Sequence, residues 1–432
     1  MSTQSTDLPQ ATANTQMSFI VRKLRDRLLG MLGDIDECQL RINDAAGMMI
    51  LGRCDAHAVE PLTARVDILD PSFYLRVATQ GSIGAGEAYM DGLWRSDDLV
   101  ALMRMLVRHR DRLDTLDSGS ARVAGTLLKL WHALRRNSRQ GSRRNIAAHY
   151  DLGNALFELF LSGDMMYSSA IYAYEGEALE DASWRKLDRV CRKLELSPTD
   201  HVLEIGTGWG GFAIHAARHY GCHVTTTTIS REQYDLARAR VADAGLSQHV
   251  EVVLQDYRDL DGHYDKLVSI EMVEAIGHQY LDRFFARIAE LLKPHGAALL
   301  QAITIEDARY RKALREVDFI KRHIFPGSFI PCVSALSGAL ARSSDLRLVN
   351  LEDIGTSYAM TLQAWRQRFL ARLPEVRALG YDERFIRMWE FYLAYCEAGF
   401  RERALGDVQM LLHRPRARTS PWLPAVDVSC AR

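Results

Sequence analysis

The stretch that most restricts what this chain can fold into is Val202-Leu203-Glu204-Ile205-Gly206-Thr207-Gly208-Trp209-Gly210-Gly211. A short apolar run ends in an acid and then a glycine-rich turn, and Phe212 to Tyr220 follows with apolar residues at helical spacing. That order is strand, tight loop, helix, the opening of a doubly wound α/β sheet of the nucleotide-binding kind. Glycine adopts positive φ without a Cβ clash and lets the backbone come close to a ligand. The loop departs from G-x-G-x-x-G because its glycines crowd at 206, 208, 210 and 211. Taken alone it favours a ligand cradle over a plain strand-to-helix turn.

At 432 residues the chain exceeds one ordinary core, so two domains are expected. A formal net charge of −1 gives no whole-protein field for nucleic acid, and no nucleic-acid partner is expected. No apolar run approaches the ~18 residues that span a bilayer. Met1 to Gln16 is polar, lacks the apolar core of a signal peptide and reads as a disordered tail. The seven cysteines are scattered, with no CxxC or Cys/His metal spacing, which suits a reducing cytoplasm and predicts no metal.

Residues 17–134 read as a small auxiliary α+β domain. Phe19 to Leu32 is a basic amphipathic helix, suited either to packing on its own domain or to lying on a membrane surface. Val66 to Val77 reads as β-rich, the glycine-laden 81–94 stretch as tight loops around a short helix, and Leu99 to Val107 as a further helix. Arg135, Arg136, Arg139, Arg143 and Arg144 fall in a linker at 135–145, either simply solvated or meeting anionic headgroups. A larger α/β domain is expected over 146–415, and 416–432 reads as a loose tail.

Within the larger domain the strand ends carry the chemistry, because this fold places ligands at the carboxyl ends of parallel strands. His223 to Ile229 is a β-branched strand ending in Thr228, Ile229 and Ser230, with Gln233 suited to grip ribose hydroxyls where an acid is more usual. Val250 to Leu254 leads to Asp256 and Tyr257, an acid and a ring suited to an adenine. Tyr264 to Ile270 delivers Glu271 and Glu274, both candidates for the site; a lone carboxylate in an apolar pocket has a raised pKa unless paired. His278 is expected to cap or pack. Leu281 to Leu292 reads as a helix closed by Lys293-Pro294-His295-Gly296, and Ala297 to Ile305 as a strand. Gln301 inside that apolar strand is costly unless hydrogen-bonded, which favours its facing the site. Upstream, Met165 to Ala170 is rich in Met, aromatic and small polar residues, as suits a lid over an apolar acceptor or ordinary core packing.

The acid-then-G-x-G loop is similar to the S-adenosylmethionine site of class I methyltransferases. HYDLGNALFELFL, MMYSSA, VLEIGTGWGG, TISREQ, EMVEAIGHQYLDRFF, FIKRHIFPGSFIP, SYAMTLQAWRQRF and RMWEFYLAYCEAGFRERALGDVQMLL occur in this order. Together they resemble the cyclopropane-fatty-acyl-phospholipid synthase family over nearly all of 143–413, and GEAYMDGLW resembles the N-terminal domain of its longer members. The resemblance implies a Rossmann-like methyltransferase sheet, S-adenosylmethionine as donor, and the cis double bond of a phospholipid acyl chain as acceptor. It implies methyl transfer, a carbocation, and loss of a proton from the new methyl to a bound bicarbonate ion. It places Glu274 as the glutamate that orients the anion, Tyr358 as its donor, and Ile303 and Ser169 (cysteine in the family) as backbone contacts. Gln301 stands where the family has a histidine, so a proton relay there is lost while hydrogen bonding survives. For the donor it implicates Tyr167, Ser168, Gly206, Thr207, Gly208, Thr228 to Gln233, Asp256 and Tyr257, beside Glu204. The same resemblance implies a cytoplasmic enzyme resting on the inner face of the membrane, with a homodimer left open. A methyl-branched or methylene product is the alternative to a ring.

Overall fold

The structure is a computed structural model that describes residues 17–33, 35–53, 60–113 and 153–418. The basic linker at 135–145, the HYDL residues 149–152, the 1–16 tail and the chain from 419 onward lie outside the described residues. The chain divides into two units, Met1–Ala121 and Arg122–Arg432.

In the first unit, helix α1 (Phe19–Leu32) starts where its periodicity predicts, and the Ser18 hydroxyl accepts from the Val21 amide at 3.3 Å as its N-cap. Leu29 and Leu32 are buried, while Phe19 and Ile20 stay exposed. Strands β1 (Cys38–Asp44), β2 (Gly47–Leu51), β3 (Leu62–Ile68) and β4 (Trp94–Ser96) form a sheet in the order β2-β1-β3-β4, with β1 and β3 parallel. The expected β character of 66–77 holds only as far as Ile68. Beyond Pro71 the chain is helical as α2 (Ser72–Met90), and the glycine-rich part belongs to this helix, kinked at Gly81 with φ 60° and ψ −138°. Aromatic residues had suggested a strand; burial of Phe73 and Tyr74 along one helix face satisfies them equally well. Helix α3 (Leu99–Arg108) follows, capped by Asp98.

The second unit is a seven-stranded sheet between helices. Its strands are β5 (His201–Ile205), β6 (His223–Thr228), β7 (Val250–Leu254), β8 (Tyr264–Ile270), β9 (Leu292–Ile305), β10 (Arg347–Asp353) and β11 (Leu405–His413), in the order β10-β11-β9-β8-β5-β6-β7. β11 runs antiparallel to both its neighbours, and the pairings among β5 to β9 are parallel. The chain winds from β5 outward through β6 and β7, then returns to β8, so the strand order reverses between β5 and β8. A ligand crevice opens at such a reversal. Both faces of the sheet are covered: Phe284, Phe285 and Leu336 pack on one side, Phe212, Leu187 and Val190 on the other. Strand β9 begins earlier than expected. Lys293 to Gly296 do not end a helix but ride in the strand as an irregularity, the register moving from Tyr264↔Leu292 to Lys266↔Ala297.

Candidate active site

The donor loop is built from the ends of β5 and β6. Gly206 and Gly208 have φ of 104° and 52°, a conformation other residues adopt only under strain. The Gly206 and Thr207 amides both donate to the Thr227 carbonyl at 3.0 Å, which fixes the loop to β6. Glu204 is buried, and Thr226 Oγ1 donates to its carboxylate at 2.6 Å. Burial pushes this carboxyl up to about 8, against the Thr226 bond and the Lys186 charge. Thr228 Oγ1 donates to Gln233 Oε1 at 2.8 Å, leaving the Gln233 amide nitrogen without a partner among the described residues. Ser230 caps the next helix, Arg231–Asp243, and Ile229 is half-buried between them. Asp256 is also buried, but Arg258 holds its carboxylate at 2.6 Å and 2.9 Å, so its principal partner is within its own turn. Tyr257 lies beside it, edge-on to Phe284 with ring centres 5.6 Å apart.

A Cβ added at Gly206 would sit 3.3 Å from Met272 Cγ, so the donor loop abuts the segment that follows β8. That segment carries Glu271 and Glu274. Glu271 is the acceptor of three donors: the Ser169 amide at 2.8 Å, Gln301 Nε2 at 2.8 Å and the Tyr358 hydroxyl at 2.7 Å. Its backbone lies in the left-handed region, at φ 48°. Among the described residues Glu274 accepts from the Ile303 amide, at 2.6 Å, and from its own backbone amide, and its Oε2 is buried without a partner. The residues expected to gather around Glu274 are thus divided: Ser169, Gln301 and Tyr358 go to Glu271, and Ile303 alone to Glu274. His278 packs edge-on near Phe329.

Asp407 on β11 completes the cluster. It pairs in register with Ile303, and its Oδ2 accepts from Gln301 Nε2 at 2.9 Å. Gln301 is fully satisfied, since its Oε1 accepts from Gln409 Nε2 at 3.1 Å. Glu274 is pushed up to about 8 by burial and by the neighbouring Glu271 charge. Burial and both glutamates push Asp407 far above the ordinary range. Burial raises Glu271 as well, but the Tyr358 and Ser169 bonds, the Lys186 charge and the Gln301 bond oppose it. Of the two, Glu271 is the better stabilised as an anion, because only it has three donors.

The segment around Tyr167 closes over this cluster from the sequence side. Its polar groups are tied to the helices Leu179–Lys193 and Gly355–Ala371: Ser168 Oγ accepts from Lys186 Nζ at 2.9 Å, and the Ala170 amide donates to Thr361 Oγ1 at 3.1 Å. Tyr167 bonds the Tyr392 hydroxyl at 2.8 Å and packs 5.2 Å from Phe157 and from Trp365. Tyr358 stacks on Phe400 at 4.4 Å. A carboxylate cluster thus sits against aromatic walls. Two members escaped the sequence reading. Asp407 carries the same signal as Gln301, a polar side chain inside an apolar strand. Lys186 is fully buried and its charge is disfavoured by burial, yet its helix reads as an ordinary charged surface helix.

A family model described as mycolic acid cyclopropane synthetase matches residues 137–410. Tuberculostearic acid methyltransferase UfaA1 of Mycobacterium tuberculosis is 41% identical over 347 residues, 78% of this chain and 80% of that protein. Cyclopropane-fatty-acyl-phospholipid synthase of Escherichia coli is 38% identical over 353 residues, 80% of this chain and 86% of that one. Among solved structures, the cyclopropane synthase MmaA2 from Mycobacterium tuberculosis superposes with a TM-score of 0.59 at 28% identity, covering 63% of this chain and 98% of that one. Mycolic acid cyclopropane synthase CmaA1, complexed with SAH and CTAB, gives 0.58 at 28% identity over 63% and 98%.

Proposed function

Because the chain belongs to the mycolic acid cyclopropane synthetase family of S-adenosylmethionine-dependent methyltransferases, we propose that it transfers a methylene from S-adenosylmethionine to the cis double bond of unsaturated acyl chains in membrane phospholipids. The observation that carries this reading is a buried carboxylate cluster in which, among the described residues, no lysine or arginine hydrogen-bonds Glu271 or Glu274, set beside the donor loop and against Tyr358. Such a site is poor for binding a charged acceptor and good for taking a proton from a carbocation.

S-adenosylmethionine supplies an electrophilic methyl on sulfonium. The residues present fit it: glycine backbone at Gly206 and Gly208, a carboxylate at Glu204 with only one side-chain donor, and the open amide of Gln233. Thr207, Thr228, Ser230, Asp256 and Tyr257 border the same place. An alkene is a weak nucleophile, so the protein's part is to align the double bond, exclude water and place a base. The aromatic faces of Tyr358, Tyr167 and Trp365 suit an acyl chain and a transient cation. A bicarbonate ion does not fit, since three of the donors expected to hold it already serve Glu271.

Approach to lipid is part of the same proposal. Among the described residues no helix is long and apolar enough to cross a membrane. Phe19 and Ile20 are exposed at the start of α1, next to Arg22 and Lys23, a combination suited to an anionic bilayer surface. A second product is favoured by two specific observations: Gln301 cannot relay a proton, and a 41% identical relative is a tuberculostearic acid methyltransferase. In that case a 1,2-hydride shift in the cation and proton loss from the new methyl yield a methylene branch, which becomes a methyl branch only with a separate hydride donor. Gas chromatography of acyl chains from a host expressing the protein, run against authentic ring and branched standards, tests both. A ring is expected; a branched product selects the second reading, and unchanged lipids reject both.

A further inference from the structure

Three hydrogen-bond donors at this site converge on a side chain of the protein itself. The Ser169 amide, Gln301 Nε2 and the Tyr358 hydroxyl come from three different parts of the chain, at 2.7–2.8 Å from the Glu271 carboxylate. Such convergence of neutral donors is the mark of an anion site, and here the anion is covalently part of the protein. The backbone at Glu271 points the same way. Its φ of 48° is a conformation that glycine would take without strain, yet the position carries a glutamate. Strain of this kind persists where the surrounding structure demands the side chain.

We propose that the Glu271 carboxylate is the general base of the reaction, an internal replacement for a diffusible anion, so that this protein works without bicarbonate. The inference rests on the methyl-transfer reading above and adds the identity of the base. The step balances simply. After methyl transfer one former alkene carbon carries the new methyl and its neighbour the positive charge. The C–H bond of the new methyl breaks and its electron pair closes the third ring bond onto that neighbour, or, once a hydride has shifted from the methyl-bearing carbon to the neighbour, forms the exocyclic double bond of a methylene branch; in either case the proton passes to Glu271. A carboxylate has about four lone-pair sites, and these three donors engage three of them. Oε1 takes the Ser169 and Gln301 donors and Oε2 takes Tyr358, with Asp407 a further side-chain partner of the carboxylate, so Oε2, away from the two Oε1 donors, is the oxygen assigned to receive the proton. Glu274 and Asp407 then act as positioning residues: Glu274 through the Ile303 amide, Asp407 through Gln301.

The test compares the full-length protein with Glu271→Gln and Glu271→Gly in buffers stripped of carbon dioxide, with and without added millimolar bicarbonate. Label transfer from S-adenosylmethionine to vesicles of unsaturated phospholipid and binding of carbon-13 bicarbonate by NMR are read side by side. The unaltered protein is expected to work at the same rate with and without bicarbonate and to show no bound ion. Glu271→Gln is expected to lose about a hundredfold or more in rate with donor affinity kept, and not to recover, because the amide fills the place without accepting a proton. Glu271→Gly, which also relaxes the backbone, is expected to bind the ion and regain activity only when it is present. Bicarbonate bound by the unaltered protein, a rate that depends on the ion, or a Glu271→Gly variant that neither binds it nor recovers would overturn the proposal. Since ion binding is read without turnover, it is decided separately from the identity of the acceptor: bicarbonate excluded from a protein that labels no unsaturated lipid would defeat the functional reading alone.

Discussion

Each unit of this protein buries a carboxylate against a tyrosine hydroxyl, and the two carboxylates have opposite characters. Asp44 accepts from Tyr74 and from Arg25, whose Nε lies 2.6 Å away. Burial alone would raise its pKa, but those bonds and the guanidinium charge hold it below the ordinary range. Glu271 accepts from Tyr358, an amide and a backbone N–H, with no guanidinium, and burial leaves it above that range. The lesson is one of charge balance. A carboxylate bonded directly to a guanidinium holds a structure together, while one bonded to neutral dipoles, with the Lys186 ammonium acting on it only through its field, keeps an appetite for a proton.

The contrast can be broken by substitution. The largest expected effect beyond Glu271 is at Glu274: Glu274→Gln should lower product formation by about two orders of magnitude or more while leaving S-adenosylmethionine affinity nearly intact, read by calorimetry beside label transfer. Unchanged turnover would remove Glu274 from the mechanism. Next comes stability. Asp44→Asn leaves buried Arg25 with only the longer Asp26 contact at 3.4 Å and should destabilise the first unit by about 3 kcal/mol in urea unfolding. Glu271→Gly removes a buried charge with no cation hydrogen-bonded to it and relaxes a left-handed residue, so it should leave stability unchanged or raise it by about 1 kcal/mol. Equal losses in the two variants would erase the distinction drawn here.

A smaller effect sharpens the comparison. Gln301→Leu removes one of three donors that stabilise ionised Glu271, so the rate should fall about tenfold and its alkaline-going limb should move to higher pH, since a carboxylate that loses a donor is harder to ionise. A fall in rate with an unmoved pH profile would mean that Gln301 only fills space. The smallest effect is in the pH dependence of stability. Glu204 and Glu274 sit at about 8 in the folded protein, against an ordinary carboxylate near 4.3 when unfolded. Between those values the folded state binds more protons, so their contribution to stability is present in acid and falls as pH rises toward 8. Asp44, with its lowered pKa, contributes stability above the unfolded value and loses it as pH falls through the folded one. Scanning calorimetry without donor should therefore show the second unit melting a few degrees lower at pH 8 than at pH 6, with the first unit weakening only in acid.

Much of the second unit was legible because local and global signals agree there. The glycine loop after Glu204 and the β-branched His223–Thr228 run leave few alternatives to a wound parallel sheet. Gln301 was legible as a buried, bonded side chain, since an apolar strand tolerates an amide only on those terms. The division of donors between Glu271 and Glu274 was not. The two lie within one turn of chain, and which of them meets Ser169, Gln301 and Tyr358 depends on the positive φ at 271 and on contacts up to 102 residues away in sequence. Asp407 shows the same polar-in-apolar signal, but that it meets Gln301 follows only from the pairing of β11 with β9, a register no local pattern announces. The helix over 72–90 was missed because aromatic and β-branched residues serve a half-buried helix face as well as a strand.

The central claim is that a methyl from sulfonium reaches an acyl alkene and surrenders a proton to this site. Donor carrying a fully deuterated methyl, incubated with the protein and oleoyl phospholipid vesicles, tests it by mass spectrometry of the released acyl chains. The account predicts product chains that keep two of the three deuterons, the third having left to the base. Chains that keep all three, or label found only in the headgroup, would contradict it.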